Sequence, residues 1–168
     1  IGLIYYNNNE NDKALENLKA VVAQYPNTEE SREALNIISN IYRENNEIQK
    51  YFDYIAENNL GEISIDKQDS LTFKNVEDFY LDKKYKETIK GAEQYIKKHP
   101  KGAYLLDVHY YAMKSKEMTN ETDSIRTHIE YIINCPDNDY TDNALLLAAR
   151  MDYDESNYSA SAEHYERL

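Results

Sequence analysis

The chain has 168 residues, 41% of them hydrophobic, which suffices for a packed interior, while 4 Gly and 3 Pro are too few for a loop-rich all-β fold. A formal net charge of −12 repels phosphate backbones and argues against a nucleic-acid partner; it fits solubility first and attraction for a basic partner second. No run of about 18 apolar residues exists to span a membrane, and the single Cys135 rules out an internal disulfide framework.

Ile1-Gly2-Leu3-Ile4-Tyr5-Tyr6 reads as the end of an apolar helix, and Asn7-Asn8-Asn9 as a polar turn. A helix is predicted from about Asp12 to Gln24, because Ala14, Leu15, Leu18, Val21 and Val22 share one face. Tyr25-Pro26 ends it, since proline cannot continue the hydrogen-bond ladder. Asn27 with Glu30 three residues on is expected to cap the next helix, which carries Ala34, Leu35, Ile37, Ile38, Ile41 and Tyr42 up to Asn45-Asn46. Ile48, Tyr51, Phe52 and Ile55 form the following stripe, which frays at Asn58-Asn59.

Leu60 to Asp66 is the one irregular joint, with Gly61 as the residue able to turn left-handed at a helix end. Helical spacing resumes near Ser70 with Phe73, Val76, Phe79 and Tyr80, turns at Lys83-Lys84, and continues through Tyr85, Ile89, Ala92 and Ile96 to His99-Pro100. A further pair uses Leu105, Val108, Tyr111 and Ala112, then Ile125, Ile129 and Ile132, ending at Cys135-Pro136. The last uses Ala144, Leu145, Ala148, Ala149 and Tyr153, then Tyr158, Ala162 and Tyr165. Both ends of the chain lie inside helical patterns, so the sequence reads as an excerpt of a longer array.

These stretches keep a beat. Pro26 and Pro100 are 74 residues apart, twice 37, and Pro100 and Pro136 are 36 apart. Second helices starting at Asn11, Glu47, Tyr85, Glu121 and Tyr158 are separated by 36, 38, 36 and 37 residues. Such a period marks a helical repeat array. Short loops make neighbouring helices antiparallel, and no lone pair can bury its apolar face, so pairs must stack. The expectation is an all-α chain, a single segment over 1–168 with repeats at roughly 1–26, 27–62, 63–100, 101–136 and 137–168.

The chain resembles the tetratricopeptide repeat family, whose motif runs W-x2-L-G-x2-Y, then A-x3-F, then P. Gly2-Leu3-Ile4-Tyr5 matches G-x2-Y, Ala14 with Leu18 stands for A-x3-F, and Pro26 closes the unit. Thr88 with Ala92, and Ser161 with Tyr165, fill the A-x3-F slots of the third and fifth units, and Pro100 and Pro136 close the third and fourth. The fourth puts His128 in the phenylalanine slot; the second departs most, with Ile38, Lys50 and Glu62 in the glycine, alanine and proline slots. The Tyr25-Pro26-Asn27-Thr28 stretch looks most like the long-repeat branch of bacterial cell-envelope proteins, the Tol–Pal-associated and outer-membrane-assembly lipoprotein types.

The resemblance implies a right-handed α-α superhelix whose first helices line a concave groove, and a bacterial periplasmic or cell-envelope setting. Carried over, its register places Tyr6, Tyr42, Tyr80, Lys116 and Tyr153 in one column of that groove, and Leu3, Ser39, Glu77, Met113 and Arg150 one turn earlier. The implied activity is protein–protein scaffolding, with a peptide or partner domain in the groove. Alternatives are a structural spacer, with self-association as its activity, and an accessory binder in carbohydrate uptake. Packing between repeats is the competing role for the tyrosines.

Catalytic chemistry has little support. His99, His109, His128 and His164 form no H-x3-H or H-E-x2-H pair, and one Cys makes no thiolate zinc site. Asp137-Asn138-Asp139-Tyr140-Thr141-Asp142 lacks the glycine of a calcium loop and has Ala148 where the bidentate Glu belongs, so it reads as a turn in which Asp139 or Thr141 caps the next helix. No enzyme activity, cofactor or metal is expected.

Overall fold

The computed structural model describes residues 1–136 and 138–168. Among them lie ten helices and no strand: α1 (Gly2–Asn7), α2 (Asn11–Gln24), α3 (Glu29–Glu44), α4 (Ile48–Glu57), α5 (Ile65–Leu81), α6 (Tyr85–Lys98), α7 (Leu105–Thr119), α8 (Ile125–Asn134), α9 (Thr141–Asp154) and α10 (Tyr158–Glu166). The chain is all-helical, and helices neighbouring in sequence pack as adjacent pairs. It divides into two compact units, Ile1–Leu71 and Thr72–Leu168, the boundary falling inside α5.

In the first unit α1 packs on α2, α2 on α3 and α3 on α4, and α1 also reaches α3. Ala14, Leu18 and Val22 recur every four residues on α2 and meet Ala34, Ile37, Ile38, Ile41 and Tyr42 of α3. Full burial of a side chain such as Ile38 or Ile41 contributes about 1.5–3 kcal/mol relative to exposure. Gly2 shows how close the first helix comes: a Cβ there would lie 2.9 Å from Leu18 Cγ.

The second unit has two clusters. Val76 of α5, Ala92 and Tyr95 of α6, and Val108 and Ala112 of α7 form one; Met113, Ile125, Ile129, Ile132, Ala144, Leu147 and Ala148 join α7, α8 and α9 in the other. Alanines at the contacts let the backbones approach. Tyr95 is wholly buried, and its hydroxyl accepts the Tyr104 N–H at 3.1 Å, tying the start of α7 to α6. Asp152 is buried too; its carboxylate holds Arg126 at 2.9 Å and His164 Nδ1 at 2.8 Å, stapling α8, α9 and α10.

The repeat is written in the backbone of the turns inside the pairs. Asn9, Asn46, Lys83, Asn120 and Ser156 all take left-handed φ, between 57° and 63°. In every case the N–H of that residue returns to the carbonyl three before it, and the next N–H returns to the carbonyl five before it, as in Glu10 to Tyr5 (2.9 Å) and Asn157 to Asp152 (2.7 Å). This is the Schellman arrangement, which satisfies the last carbonyls of a helix. Its positions are spaced 37, 37, 37 and 36 residues apart, a steadier interval than the prolines give.

Several sequence expectations shift. Thr28, not Asn27, caps α3: its Oγ1 accepts from the Ser31 N–H at 3.2 Å, while Asn27 is a left-handed turn residue at φ 66°. The Gly61 joint is shorter than expected, because Ser64 Oγ accepts the Lys67 N–H at 3.3 Å and α5 starts at Ile65. The helix before it is closed by Asn59 (φ 53°), with Leu60 N–H returning to Ile55 C=O at 3.0 Å; Gly61, at φ 123°, lies beyond that closure. A Schellman turn thus closes this helix without a proline, three residues ahead of the proline slot that Glu62 occupies. α8 starts at Ile125, four residues after Glu121, because Ser124 turns left-handed at φ 57°. Neither Asp139 nor Thr141 caps α9; Asn138 organises that turn, donating to the Ile132 and Cys135 carbonyls and accepting the Tyr140 N–H at 3.0 Å. Asp137, at the head of that segment, lies outside the described residues.

Candidate functional site

Counted back from the left-handed residue of each turn, Tyr6, Tyr80 and Tyr153 stand three positions before it, whereas Tyr42 and Lys116 stand four before. One residue is about 100° of helix rotation, so the anticipated column mixes two faces. The position four before the turn faces inward: Tyr42, Phe79, Lys116 and Asp152 are all buried. The Tyr42 hydroxyl accepts from Lys19 Nζ of α2 at 2.8 Å, and Lys116 pairs with Glu93 of α6 at 3.6 Å. The earlier turn divides likewise. Met113 is fully buried in the core and Ser39 is half-buried, whereas Leu3 and Arg150 are exposed and Glu77 is half-buried beside Lys74. Tyr6 donates to Glu44 at 2.8 Å, and Tyr153 is 61% exposed with its ring edge-on to Tyr158.

Of these residues, Tyr80 alone belongs to a larger aromatic assembly. Its ring stacks on Tyr111 at 4.4 Å between centroids, and Phe73 stacks on Tyr104 at 4.2 Å. Phe73 and Tyr111 lie 6.4 Å apart and nearly parallel, which joins the two stacks. Tyr110, tilted against Tyr111 at 6.0 Å, stacks in turn on Tyr140 at 4.0 Å. The six rings come from α5, α7 and the residues just ahead of α7 and α9, all in the second unit, and each is half-buried. The result is a continuous aromatic face built on the first helices of successive pairs.

The sequence held a signal for it. Phe73 and Tyr110 are one 37-residue period apart, and Phe73/Tyr80 and Tyr104/Tyr111 are each seven apart, two turns of helical spacing. Read along one helix, the same spacing looks like core, and Phe73 and Tyr111 fall in the apolar stripes.

Carboxylates border the rings. Asp107 accepts the Tyr140 hydroxyl at 2.7 Å. Glu77 and Asp78 share Lys74 at 2.7 and 3.2 Å, and Glu117 pairs with Lys114. Burial pushes the Tyr80 phenol up to about 12, helped by the phenols of Tyr110, Tyr85 and Tyr111 and then by Glu117. Tyr111 is raised by burial and then by Glu77 and Asp107, and Tyr140 by burial and then by its bond to Asp107. All three stay protonated at neutral pH, able to donate hydrogen bonds in a negatively charged setting.

The histidines serve packing. His109 and His128, both buried, meet Nδ1 to Nδ1 at 3.0 Å, and His109 lies flat on Tyr131 at 3.8 Å. Burial lowers both to about 4, so each is neutral at pH 7, and one imidazole donates to the other. His99 packs on the Tyr95 ring and His164 bonds to Asp152. Among the described residues no group of three or more His, Cys, Asp or Glu is placed to hold a metal ion, and no helix is long and apolar enough to cross a membrane. No family model, no curated protein and no solved structure matches the chain.

Proposed function

We propose that the chain is a tetratricopeptide-like α-solenoid whose first helices form the concave side, and that it works as a protein-interaction scaffold, holding a peptide segment or partner domain against that side. The supporting observation is the half-buried aromatic face of Phe73, Tyr80, Tyr104, Tyr110, Tyr111 and Tyr140. Tyrosine supplies rigid contact area at small entropic cost together with a hydroxyl that tolerates water, the profile of an interface anchor. The regular Schellman interval supports the repeat reading, because equal units can present equivalent positions side by side.

Ring geometry favours peptide over carbohydrate. The Phe73–Tyr104, Tyr80–Tyr111 and Tyr110–Tyr140 stacks each occupy one face of both rings, leaving edges and hydroxyls as much as flat faces for an occupant. A sugar platform needs broad free faces side by side, whereas a peptide side chain fits the single outer face of a stack together with edges, hydroxyls and neighbouring charges.

Selection from a random peptide library on the intact chain, followed by calorimetry on the enriched sequences, tests this reading. Tyr80→Ala and Tyr111→Ala are expected to weaken the selected peptides at least tenfold while the helical circular dichroism persists. Enriched peptides that bind both variants as well as the parent would remove the aromatic face as the site.

A further inference from the structure

The aromatic face carries a charge pattern that narrows its occupant. Three carboxylates border it, Glu77, Asp107 and Glu117, against two ammonium groups, Lys74 and Lys114, already engaged by Glu77 and Glu117. Glu77 and Glu117 retain about a quarter of their side-chain surface, 26% and 27%, so they remain open to a second cation. Behind them stands a chain with 31 acidic residues against 19 basic ones, whose field draws cations and repels anions at long range.

Resting on the binding reading above, we propose that the occupant of this face is an arginine-containing basic peptide segment. A guanidinium is planar, lies on or between phenol rings, and forks its N–H groups onto carboxylates. The Phe73–Tyr111 spacing of 6.4 Å, with near-parallel rings, offers such a plane beside Glu77, while Tyr80 and Tyr111 offer another beside Glu117. An acidic segment would set like charges against Glu77, Asp107 and Glu117 with only two pre-engaged lysines to compensate, which disfavours it.

The test uses three peptides of equal length on the intact chain: one alternating arginine with glycine and serine, one with citrulline at each arginine, and one with glutamate there. Citrulline keeps the planar group and removes the charge. The arginine peptide is expected to bind at least tenfold tighter than either of the others, and its affinity to fall as salt rises. The Glu77→Gln/Glu117→Gln double variant changes two partly exposed side chains, and its fold is checked by an unchanged thermal melt; it is expected to lose at least tenfold for the arginine peptide and nothing for the citrulline one. Equal binding of all three peptides overturns the choice of a basic occupant and leaves peptide binding standing. Failure of all three at millimolar concentration overturns both readings.

Discussion

A histidine pair without solvent is a sensor of acid. His109 and His128 share one hydrogen bond inside the second unit, and both are held to about 4, well below the ordinary imidazole value of about 6.5. Between about pH 6.5 and 4 the unfolded chain takes up protons that the folded chain refuses. The stability these groups contribute is therefore complete above about 6.5 and is lost as pH falls toward 4, by at most about 3 kcal/mol for each imidazole. The many carboxylates titrate nearby, so the pair is isolated by difference: urea midpoints from pH 7 to 4.5 should fall less steeply in His109→Phe/His128→Leu than in the parent. Parallel slopes would remove the pair as the cause. Asp152 is a buried carboxylate that holds Arg126 and His164. Asp152→Ala removes the acceptor of His164 and leaves Arg126, which retains solvent contact, with Glu155 as its remaining partner at 2.9 Å; it should cost about 2 kcal/mol in chemical denaturation.

At the level of helices and turns, the left-handed closures carry the architecture. Asparagine tolerates that conformation; lysine gains nothing from it. Lys83→Gly is therefore expected to raise stability by about 0.5–1 kcal/mol, seen as a higher melting temperature. Thr28→Ala should cost about 1 kcal/mol, because it removes the acceptor for Ser31 N–H at the head of α3. The asparagine clusters at 7–9, 45–46 and 58–59 made the helix breaks readable, since polar doublets between apolar stripes have few other uses. The break at Lys83 was readable from its position between stripes, without any preference of its own. What periodicity could not set was register: an apolar stripe tolerates a slip of one residue, while the turn allows none. Anchored on Asn46 and Asn120, the slots equivalent to Ala14 and Leu18 move from Lys50 to Tyr51 in the second pair and from His128 to Ile129 in the fourth. The same slip placed Tyr42 and Lys116 on the groove face, although both point into the packed interior.

Over the whole chain, helical class was legible because every stripe is short, amphipathic and punctuated, and nothing competes with it. The aromatic face was not, because its ring pairs join residues about thirty apart, Phe73 with Tyr104 and Tyr110 with Tyr140, and only packing reveals that those separations close. Self-repulsion is the counterpart of the charge of −12. Raising ionic strength from about 0.02 to about 0.2 M shortens the screening length severalfold and should raise the melting temperature at pH 7; a melt indifferent to salt would show that the charges are too dispersed to matter.

The turns inside the pairs hold a last implication. Their geometry is specified by the sign of one dihedral and two main-chain bonds, and the slot already admits asparagine, lysine and serine. Side chains elsewhere on the helices are thereby released from keeping count. Such a chain can be recoloured almost everywhere on its outside, new contacts drafted and old ones erased, while the spacing from one hairpin to the next stays as it was.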